Sequence, residues 1–272
     1  MLVYFEQKIT FIFYFTMLHY KLYNHASSKE VVTFIHGAGG SSAIWFKQLR
    51  AFKERFNVLL IDLRGHGNSK KGFFNKLKRY NFKVVGDDVI EVLNFLKLES
   101  THFVGISLGT IIIREIAERF PQKVKSMILG GAIMKMNVKG QILMRFGNLF
   151  KSVLPYMVLY KFFALIILPR KNHKKSRDIF TNEAKKLEQK EFKKWFALIA
   201  EVNPLLRFFR LNEISTPTLY IMGEEDHMFL PAIRKIAARH SSARLEVVPN
   251  CGHVVNIEEP VIFNQKVIQF LS

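Results

Sequence analysis

The sequence predicts an α/β protein with a mostly parallel sheet and helices on both faces of that sheet. Short apolar runs recur along the chain, and segments with the apolar spacing of a helix separate most of them. Such uninterrupted runs are typical of parallel strands that are buried on both faces, and their alternation with helices is typical of strand–helix–strand units. At 272 residues, the chain is long enough to bury a large core without disulfides or metals.

The strands and helices can be placed in chain order. Six strands are predicted, which begin at Val31, Asn57, His102, Ser126, Thr218 and Arg244. Helices are predicted from Ile44, from Val84, directly after Ser107 and from Ala232, and a last helix begins near Glu258 and continues to the C-terminus. Parallel strands need long crossover connections of this kind, so the order of elements agrees with the predicted sheet.

Residues 1–16 form an N-terminal extension with three interpretations. Met17 is a candidate start, with the segment "MLHYKLYN" as a first strand; an additional edge hairpin and a weak membrane anchor are the alternatives. The longest uncharged run, Ile9 to Tyr20, is too short to span a bilayer. No small-residue cleavage site follows it, so a cleaved secretory signal is not expected.

The alternation of strands and helices stops between residues 135 and 211, where the sequence becomes helical, aromatic and basic. We interpret 135–211 as a helical insertion into a core formed by residues 17–134 and 212–272. The most apolar part of the insertion is "VLPYMVLYKFFALIILP", and Lys161 near its centre argues against a membrane span. A helix that is apolar on nearly all sides must be buried or must touch lipid. Covering a hydrophobic pocket is favoured over lying on a membrane.

The formal net charge of +19 is concentrated in this insertion. Between Lys135 and Arg210 there are 17 Lys and Arg residues against 5 Asp and Glu, a net charge of +12. Such a surface suits nucleic acid, an anionic membrane surface or an anionic ligand, although lysines that only solvate surface helices would give the same count. No nucleic-acid-binding motif is present, so no nucleic-acid partner is expected. Peripheral contact with an anionic membrane surface stays open.

Cysteine usage bears on redox compartment and cofactors. The single cysteine, Cys251, cannot form an internal disulfide, and no Cys/His cluster has the spacing of metal ligands. The sequence therefore predicts a cytoplasmic protein with no metal and no other cofactor. Cys251 itself is predicted to be a small buried hydrophobe.

A candidate nucleophile lies where a predicted strand meets a helix. Gly105-Ile106-Ser107-Leu108-Gly109 matches the pattern G-x-S-x-G, in which a sharp strand-to-helix turn exposes the central serine. The two glycines are needed because side chains at their positions would collide where helix and strand cross. The pattern alone is a weak signal, and a chance serine at a helix N-terminus is the alternative.

A serine hydroxyl is a poor nucleophile at neutral pH, so it needs a base and a group that orients the base. Both should follow later strands, because ligands in open α/β sheets bind at the carboxyl ends of the strands. Asp226 follows the strand from Thr218, and His253 is carried by a glycine-containing loop after the next strand. Glu224 and Glu225 are alternative acids, but Asp226 is favoured by its position and its shorter reach.

Backbone donors for an oxyanion are expected in "HGAGGSS", which follows the strand from Val31. Its glycines allow N–H groups near Ala38 to point toward the same place as the N–H of Leu108. His36 is predicted to anchor this loop rather than to act in chemistry. A phosphate-binding loop is the competing interpretation, but the segment has no P-loop lysine, and Ser42 stands where G-x-G-x-x-G would require its third glycine.

With these residues placed, the sequence resembles the α/β-hydrolase superfamily from about residue 17 onward. "HGAGG" is similar to its oxyanion loop, "DLRGHGNS" to the segment after the next strand, and "GISLG" to its nucleophile elbow. "GEEDHMFLP" and "NCGHVVNIEEP" are similar to its acid and base loops. The resemblance implies an eight-stranded, mostly parallel sheet with a helical cap inserted after strand six. It assigns nucleophile, acid and base to Ser107, Asp226 and His253.

The resemblance also narrows the expected chemistry. A serine at the elbow, where haloalkane dehalogenases and epoxide hydrolases carry an aspartate, favours acyl chemistry on a hydrophobic ester. Carbon–carbon bond hydrolysis, enol-lactone opening, lyase chemistry, acyl transfer and non-catalytic ligand binding are the alternatives within the same fold. Thr110 replaces a glycine that often follows the elbow, which predicts a narrower space behind the nucleophile.

Overall fold

The computed structural model describes residues 17–71, 80–136, 138–150, 153–200 and 202–272. Its centre is a sheet of seven strands: β1 (Tyr20–Tyr23), β2 (Val31–Ile35), β3 (Asn57–Ile61), β4 (Thr101–Ile106), β5 (Val124–Gly130), β6 (Thr218–Gly223) and β7 (Ala243–Val248). The strand order is β1-β3-β2-β4-β5-β6-β7, in which β1 pairs antiparallel with β3 and all other neighbours are parallel. The six strands predicted from apolar runs and the candidate first strand are therefore confirmed.

Helices connect these strands on both faces of the sheet. The core helices are α1 (Phe46–Lys53), α2 (Phe82–Phe95), α3 (Leu108–Arg119), α9 (Leu230–Ala237), α10 (Val255–Glu258) and α11 (Pro260–Leu271). Between β5 and β6, the described residues form five more helices: α4 (Val138–Phe150), α5 (Tyr156–Ile167), α6 (Lys174–Ala184), α7 (Gln189–Ala200) and α8 (Asn203–Leu211). We refer to these five as the cap helices.

Two details differ from the expected fold. The described residues contribute seven strands rather than eight, because β1 is the edge strand and, within that part of the chain, pairs only with β3. As expected, the cap helices follow the strand that contains Ser126. That strand was expected to be the sixth, but it is the fifth of the seven described strands. Residues 1–16, for which three interpretations were given above, lie outside the described residues.

Alternation along the strands divides the core between the two faces of the sheet. Phe34 of β2 packs against Phe52 of α1 and lies in the same buried cluster as Phe263 of α11, whereas the next residue, Ile35, faces the side covered by α2 and α3. Because both faces are covered, the central strands are apolar along their whole length, as is typical of parallel strands. A separate apolar cluster, which includes Tyr160 and Phe196, joins the cap helices to one another.

Among the described residues, no helix combines the length and the apolarity that crossing a bilayer requires. Cys251 is fully buried, in agreement with its predicted role as a small hydrophobe.

Candidate active site

Ser107 occupies the sharp turn between β4 and α3. Its backbone has a φ of 55° and a ψ of −121°, a conformation that residues other than glycine rarely adopt. The Ser107 N–H donates to the carbonyl of Gly130 on the neighbouring strand at 2.9 Å. This conformation turns the chain from strand to helix within one residue and leaves Ser107 lining a cavity.

The flanking glycines are required by close packing. A Cβ at Gly109 would collide with the backbone carbonyl of Ile35, which lies on β2 beneath the start of α3. A Cβ at Gly105 would lie 2.5 Å from the side chain of Ile113 and 3.0 Å from the backbone of Gly109. Helix α3 therefore crosses β2 and β4 at a distance that only glycine permits, which is the reason predicted from the sequence.

His253 joins Ser107 to Asp226 by two hydrogen bonds. Its Nε2 lies 2.9 Å from Ser107 Oγ, and its Nδ1 lies 2.8 Å from Asp226 Oδ2. Because an ionised carboxylate can only accept, Nδ1–H donates to Asp226 and Nε2 is left to accept from the serine hydroxyl. The structure thus brings Ser107 together with two side chains that lie more than 100 residues further along the chain.

The orientation of this histidine is fixed from several sides. Asp226 is 1% exposed, and its second oxygen accepts from the N–H of Phe229 at 3.1 Å. The ring of Phe229 packs on the imidazole with a centroid distance of 5.0 Å. Gly131, at the end of β5, approaches the His253 backbone so closely that a Cβ would collide with its carbonyl. Both hydrogen bonds of the imidazole are therefore held inside a packed environment.

The alternative acids point elsewhere. Glu225 pairs with His173 at 2.7 Å and with the guanidinium of Arg170, and Glu224 accepts from the N–H of Asn250. Of these three neighbouring carboxylates, Asp226 is the one that bonds to His253.

The predicted oxyanion loop lies against the same turn. Ala38 and Leu108 line the cavity together with Ser107 and His253, and a Cβ at Gly37 would lie 3.2 Å from the Cβ of Ser107. Leu108 is the first residue of α3, where backbone N–H groups have no acceptor within their own helix. The residues predicted to donate to an oxyanion thus lie beside the serine, although their role in catalysis stays a prediction.

Two buried histidines anchor this loop. His36 Nε2 accepts from the N–H of Leu63 at 3.0 Å, and its Nδ1 lies 2.8 Å from the carbonyl of Gly37. His66 Nε2 accepts from the N–H of Gly39 at 3.1 Å. Burial lowers the pKa of both rings, that of His66 to about 3, so both act as neutral hydrogen-bonding groups. The anchoring role expected for His36 is observed, and His66 shares it.

Tyr160 of α5 connects the cap helices to the oxyanion loop, a contact that the sequence did not predict. Its hydroxyl donates to the carbonyl of Ala38 at 3.0 Å, and its ring lies directly over Gly39. Burial, with the nearby charge of Glu183, raises the pKa of this phenol well above its usual value, so the hydroxyl keeps its proton. A tyrosine in an apolar helix has no sequence signal that separates it from ordinary core aromatics.

Glu258 supports the loop that carries His253, and it was also missed. Its two carboxylate oxygens accept from the N–H groups of Gly252 and Val254, at 2.8 and 3.1 Å, on either side of the histidine. The sequence feature that points to Glu258 is its position five residues after His253. In the structure it is the last residue of the short helix α10. Only the folded loop directs that carboxylate back to these N–H groups.

Thr110 has a specific position behind the serine. It is fully buried, its hydroxyl donates to the carbonyl of Ser107 at 2.6 Å, and it accepts from the N–H of Ile133 at 3.3 Å. The threonine therefore ties the first turn of α3 to the segment that leaves β5.

An apolar cavity of about 140 Å³ lies above Ser107, between the sheet and the cap helices. Its floor contains Ser107, Leu108 and His253, and its walls are mainly aliphatic and aromatic residues of the cap. The cap residues include Leu143, Met144, Phe163, Ala164, Trp195 and Phe196. A site of this kind accepts an apolar group and places it beside a hydroxyl, an imidazole and backbone N–H groups.

Comparison with known proteins agrees with this architecture. Residues 30–167, just over half of the chain, match the family model described as the alpha/beta hydrolase fold. The chain belongs to the α/β-hydrolase family. The matched segment contains strands β2 to β5, the turn at Ser107 and the loop that carries Ala38.

Several relatives are similar over nearly their whole length. A protein of Agrobacterium fabrum that is named as a carbamate hydrolase is 25% identical, with 93% of this chain and 98% of that protein covered. The 3-oxoadipate enol-lactonase 2 of Acinetobacter baylyi is 24% identical, with 92% and 91% covered. Among solved structures, a hydrolase from Pseudomonas aeruginosa has a TM-score of 0.78 at 25% identity, with 94% of each chain covered. The names of all three indicate hydrolases, and the two names that specify a substrate specify different ones.

Proposed function

We propose that the protein is a serine hydrolase that cleaves carboxylic esters with a hydrophobic acyl or alcohol group. The observation that carries this proposal is the hydrogen-bonded series Ser107–His253–Asp226, which opens into an apolar cavity. Pure ligand binding does not need a nucleophile, a base and an acid in this order. The family and its named hydrolases support the same class of reaction.

The first half of the reaction forms an acyl-enzyme. As Ser107 Oγ attacks the ester carbonyl carbon, its proton passes to His253 Nε2, and Asp226 stabilises the resulting imidazolium. The negative charge on the carbonyl oxygen is bound by the N–H groups of Ala38 and Leu108. His253 then returns the proton to the leaving alkoxide as the carbon–oxygen bond breaks, so the alcohol departs.

The second half releases the acid. A water molecule gives a proton to His253 as its oxygen attacks the acyl carbon, and the same N–H groups bind the second oxyanion. When this intermediate collapses, Ser107 Oγ leaves and recovers its proton from His253. Atoms balance as ester plus water giving acid plus alcohol, with no cofactor in any step.

Lactone opening is a second candidate, and a specific observation favours keeping it. A lactone is a cyclic ester and would use the same acyl step, and an enol-lactonase is among the relatives that match over nine-tenths of this chain. A chain-length series of nitrophenyl esters, measured beside a series of simple lactones, separates the two. A rate maximum on linear acyl esters supports the main proposal, and a preference for lactones supports the second.

The serine is tested directly by Ser107→Ala. We expect turnover of the best nitrophenyl ester to fall by roughly a million-fold, because the only nucleophile in the proposed mechanism is lost. Labelling with a fluorophosphonate should modify the wild-type protein at Ser107 and leave the variant unlabelled. Ester turnover that survives the substitution would falsify the assignment, and absence of an adduct on the wild type would favour a ligand-binding role.

A further inference from the structure

The cap helices α4 and α5 are apolar on two opposite sides. Gly140, Leu143, Met144, Phe163, Ala164 and Ile167 face the cavity above Ser107. On the other side, large apolar side chains that belong to the same two helices face solvent: Ile142, Phe146, Leu149, Val158, Phe162 and Leu165. We call this second set the outer face. Burial explains why the first side of the helices is apolar, but among the described residues nothing covers the second side.

The outer face is one continuous surface. Its α4 members are spaced by four and three residues and its α5 members by four and three, so each set forms one stripe along its helix. The rings of Phe146 and Phe162 join the stripes, with a centroid distance of 5.9 Å. Leu149 is 72% exposed and Ile142 is 60% exposed. Monomeric soluble proteins rarely expose contiguous apolar surface of this kind unless it binds something.

The basic character of the segment that contains the outer face indicates the chemistry of its partner. From residue 135 to 177 the sequence contains ten Lys and Arg residues and no Asp or Glu. Arg145 on α4 and Lys161 on α5 are exposed beside the apolar stripes. Long basic side chains at the edge of an apolar surface extend along it and place their charge at the water interface. Such a surface is complementary to anionic lipid headgroups above an acyl layer.

A second copy of the chain is a weaker partner for the same surface. A two-fold dimer would place this patch against itself. The interface would then bring two cationic surfaces together with no acidic residue in this stretch of either copy to compensate them. An anionic bilayer provides the opposite charge and the apolar layer at once.

We propose that the outer face of α4 and α5 is a docking surface for anionic phospholipid bilayers. The apolar stripes insert at the boundary between headgroups and acyl chains, while Arg145 and Lys161 contact the anionic headgroups. Because the inner sides of the same helices line the cavity, docking places the cavity on the membrane side of the molecule. The proposal goes beyond the proposed ester hydrolysis and does not depend on it.

The test is flotation of the full-length protein with vesicles, measured without any substrate. The vesicles contain either phosphatidylcholine alone or phosphatidylcholine mixed with phosphatidylglycerol. We expect the wild-type protein to float with the anionic vesicles, less so at high salt because surface charge is screened. The double variant Ile142→Asp/Leu149→Asp should lower the bound fraction by roughly tenfold or more, since two apolar anchors are lost.

A matched control separates the outer face from apolar exposure in general. Val261 is 64% exposed and lies on α11, one of the helices that flank the sheet, and not on a cap helix. The variant Val261→Asp should therefore bind vesicles as the wild type does. Arg145→Gln/Lys161→Gln should weaken binding to anionic vesicles and reduce its salt dependence. A thermal unfolding midpoint equal to that of the wild type establishes that each variant is folded.

Three outcomes would overturn the proposal. The wild type could float with neither type of vesicle, or it could bind neutral and anionic vesicles equally. Alternatively, the double variant could bind as well as the wild type. Sedimentation velocity distinguishes the competing partner: a dimer that the double variant dissociates, without vesicle binding, would assign the surface to a second copy. Since none of these measurements uses catalysis, failure here leaves the proposed hydrolysis unaffected.

Discussion

At the scale of single residues, the site depends on which carboxylate reaches His253. Three acidic residues follow β6 in succession. The fold directs Asp226 to the imidazole of His253, and it directs Glu225 to His173 in the cap. Asp226 has the shortest side chain of the three and is almost completely buried. A buried carboxylate that accepts from Nδ1–H holds the histidine in the tautomer that can take a proton from serine.

Asp226→Asn tests this role. We expect kcat to fall by roughly ten-thousand-fold, because an amide can stabilise neither the required tautomer nor the imidazolium. The measurement is steady-state hydrolysis of a nitrophenyl ester. The matched control is Glu225→Gln at the adjacent position, which should keep kcat within a few-fold of wild type. Equal losses in the two variants would contradict the assignment of the acid.

The glycines of the elbow make a prediction about stability. Gly109→Ala should lower the free energy of unfolding by about 1–3 kcal/mol, because its Cβ would meet the rigid backbone of β2 rather than a side chain that can move. Urea denaturation measures the change. Ser107→Ala, two residues away, adds no atom and should unfold at nearly the same urea concentration as the wild type. A stable Gly109→Ala variant would show that α3 can move away from the sheet.

At the scale of elements, the cap and the core share a hydrogen bond at the oxyanion loop. Tyr160 on α5 reaches the carbonyl of Ala38, so the cap constrains the loop whose N–H groups are proposed to bind the oxyanion. His66 holds the same loop through the N–H of Gly39. The position of one cap helix is therefore linked to the geometry of the candidate site.

Tyr160→Phe should lower kcat by roughly fivefold with a smaller effect on KM, because one hydrogen bond of about 1 kcal/mol that positions the loop is lost while the ring packing stays. Ester kinetics over a range of substrate concentrations separate the two constants. Tyr156→Phe is the control, since its hydroxyl bonds to the carbonyl of Leu187 within the cap at 2.7 Å. An equal effect of both substitutions would indicate general loosening of the cap rather than positioning of the loop.

At the scale of the whole molecule, stability is linked to pH through the buried histidines. Burial lowers the pKa of His36 and His66 in the folded state, whereas both titrate near 6.5 when unfolded. The unfolded chain therefore binds more protons as the pH falls below 6.5, so acid favours unfolding. For His66, this loss continues until the pH approaches its folded pKa of about 3.

We expect the free energy of unfolding to fall between pH 6.5 and pH 4 by up to about 1.4 kcal/mol per pH unit from His66, and His36 contributes with the same sign below pH 6.5. Urea denaturation at several pH values measures this slope. His66→Gln keeps an acceptor for the Gly39 N–H but cannot titrate, so its slope should be smaller than that of the wild type. Identical slopes in the two proteins would contradict the neutral state of His66.

Much of the fold and the site was predictable from local patterns. Continuous apolar runs identified the parallel strands, because both faces of such strands are buried. The order of Ser107, Asp226 and His253 followed from the rule that chemistry gathers where parallel strands end. The contacts of Tyr160 and Glu258 were not predictable, because each depends on where a loop or helix lies after packing.

By itself, the sequence determined the strands, the elbow and the identity of the three side chains proposed to react, since these depend on residue type, spacing and chain order. Only the tertiary structure decided which side of the cap helices covers the cavity and which faces solvent. Because α4 and α5 carry apolar residues on both sides, their sequence pattern does not indicate which side faces the cavity. That direction is set when Phe163 and Phe196 pack against Gly147 and turn the outer face away from the sheet.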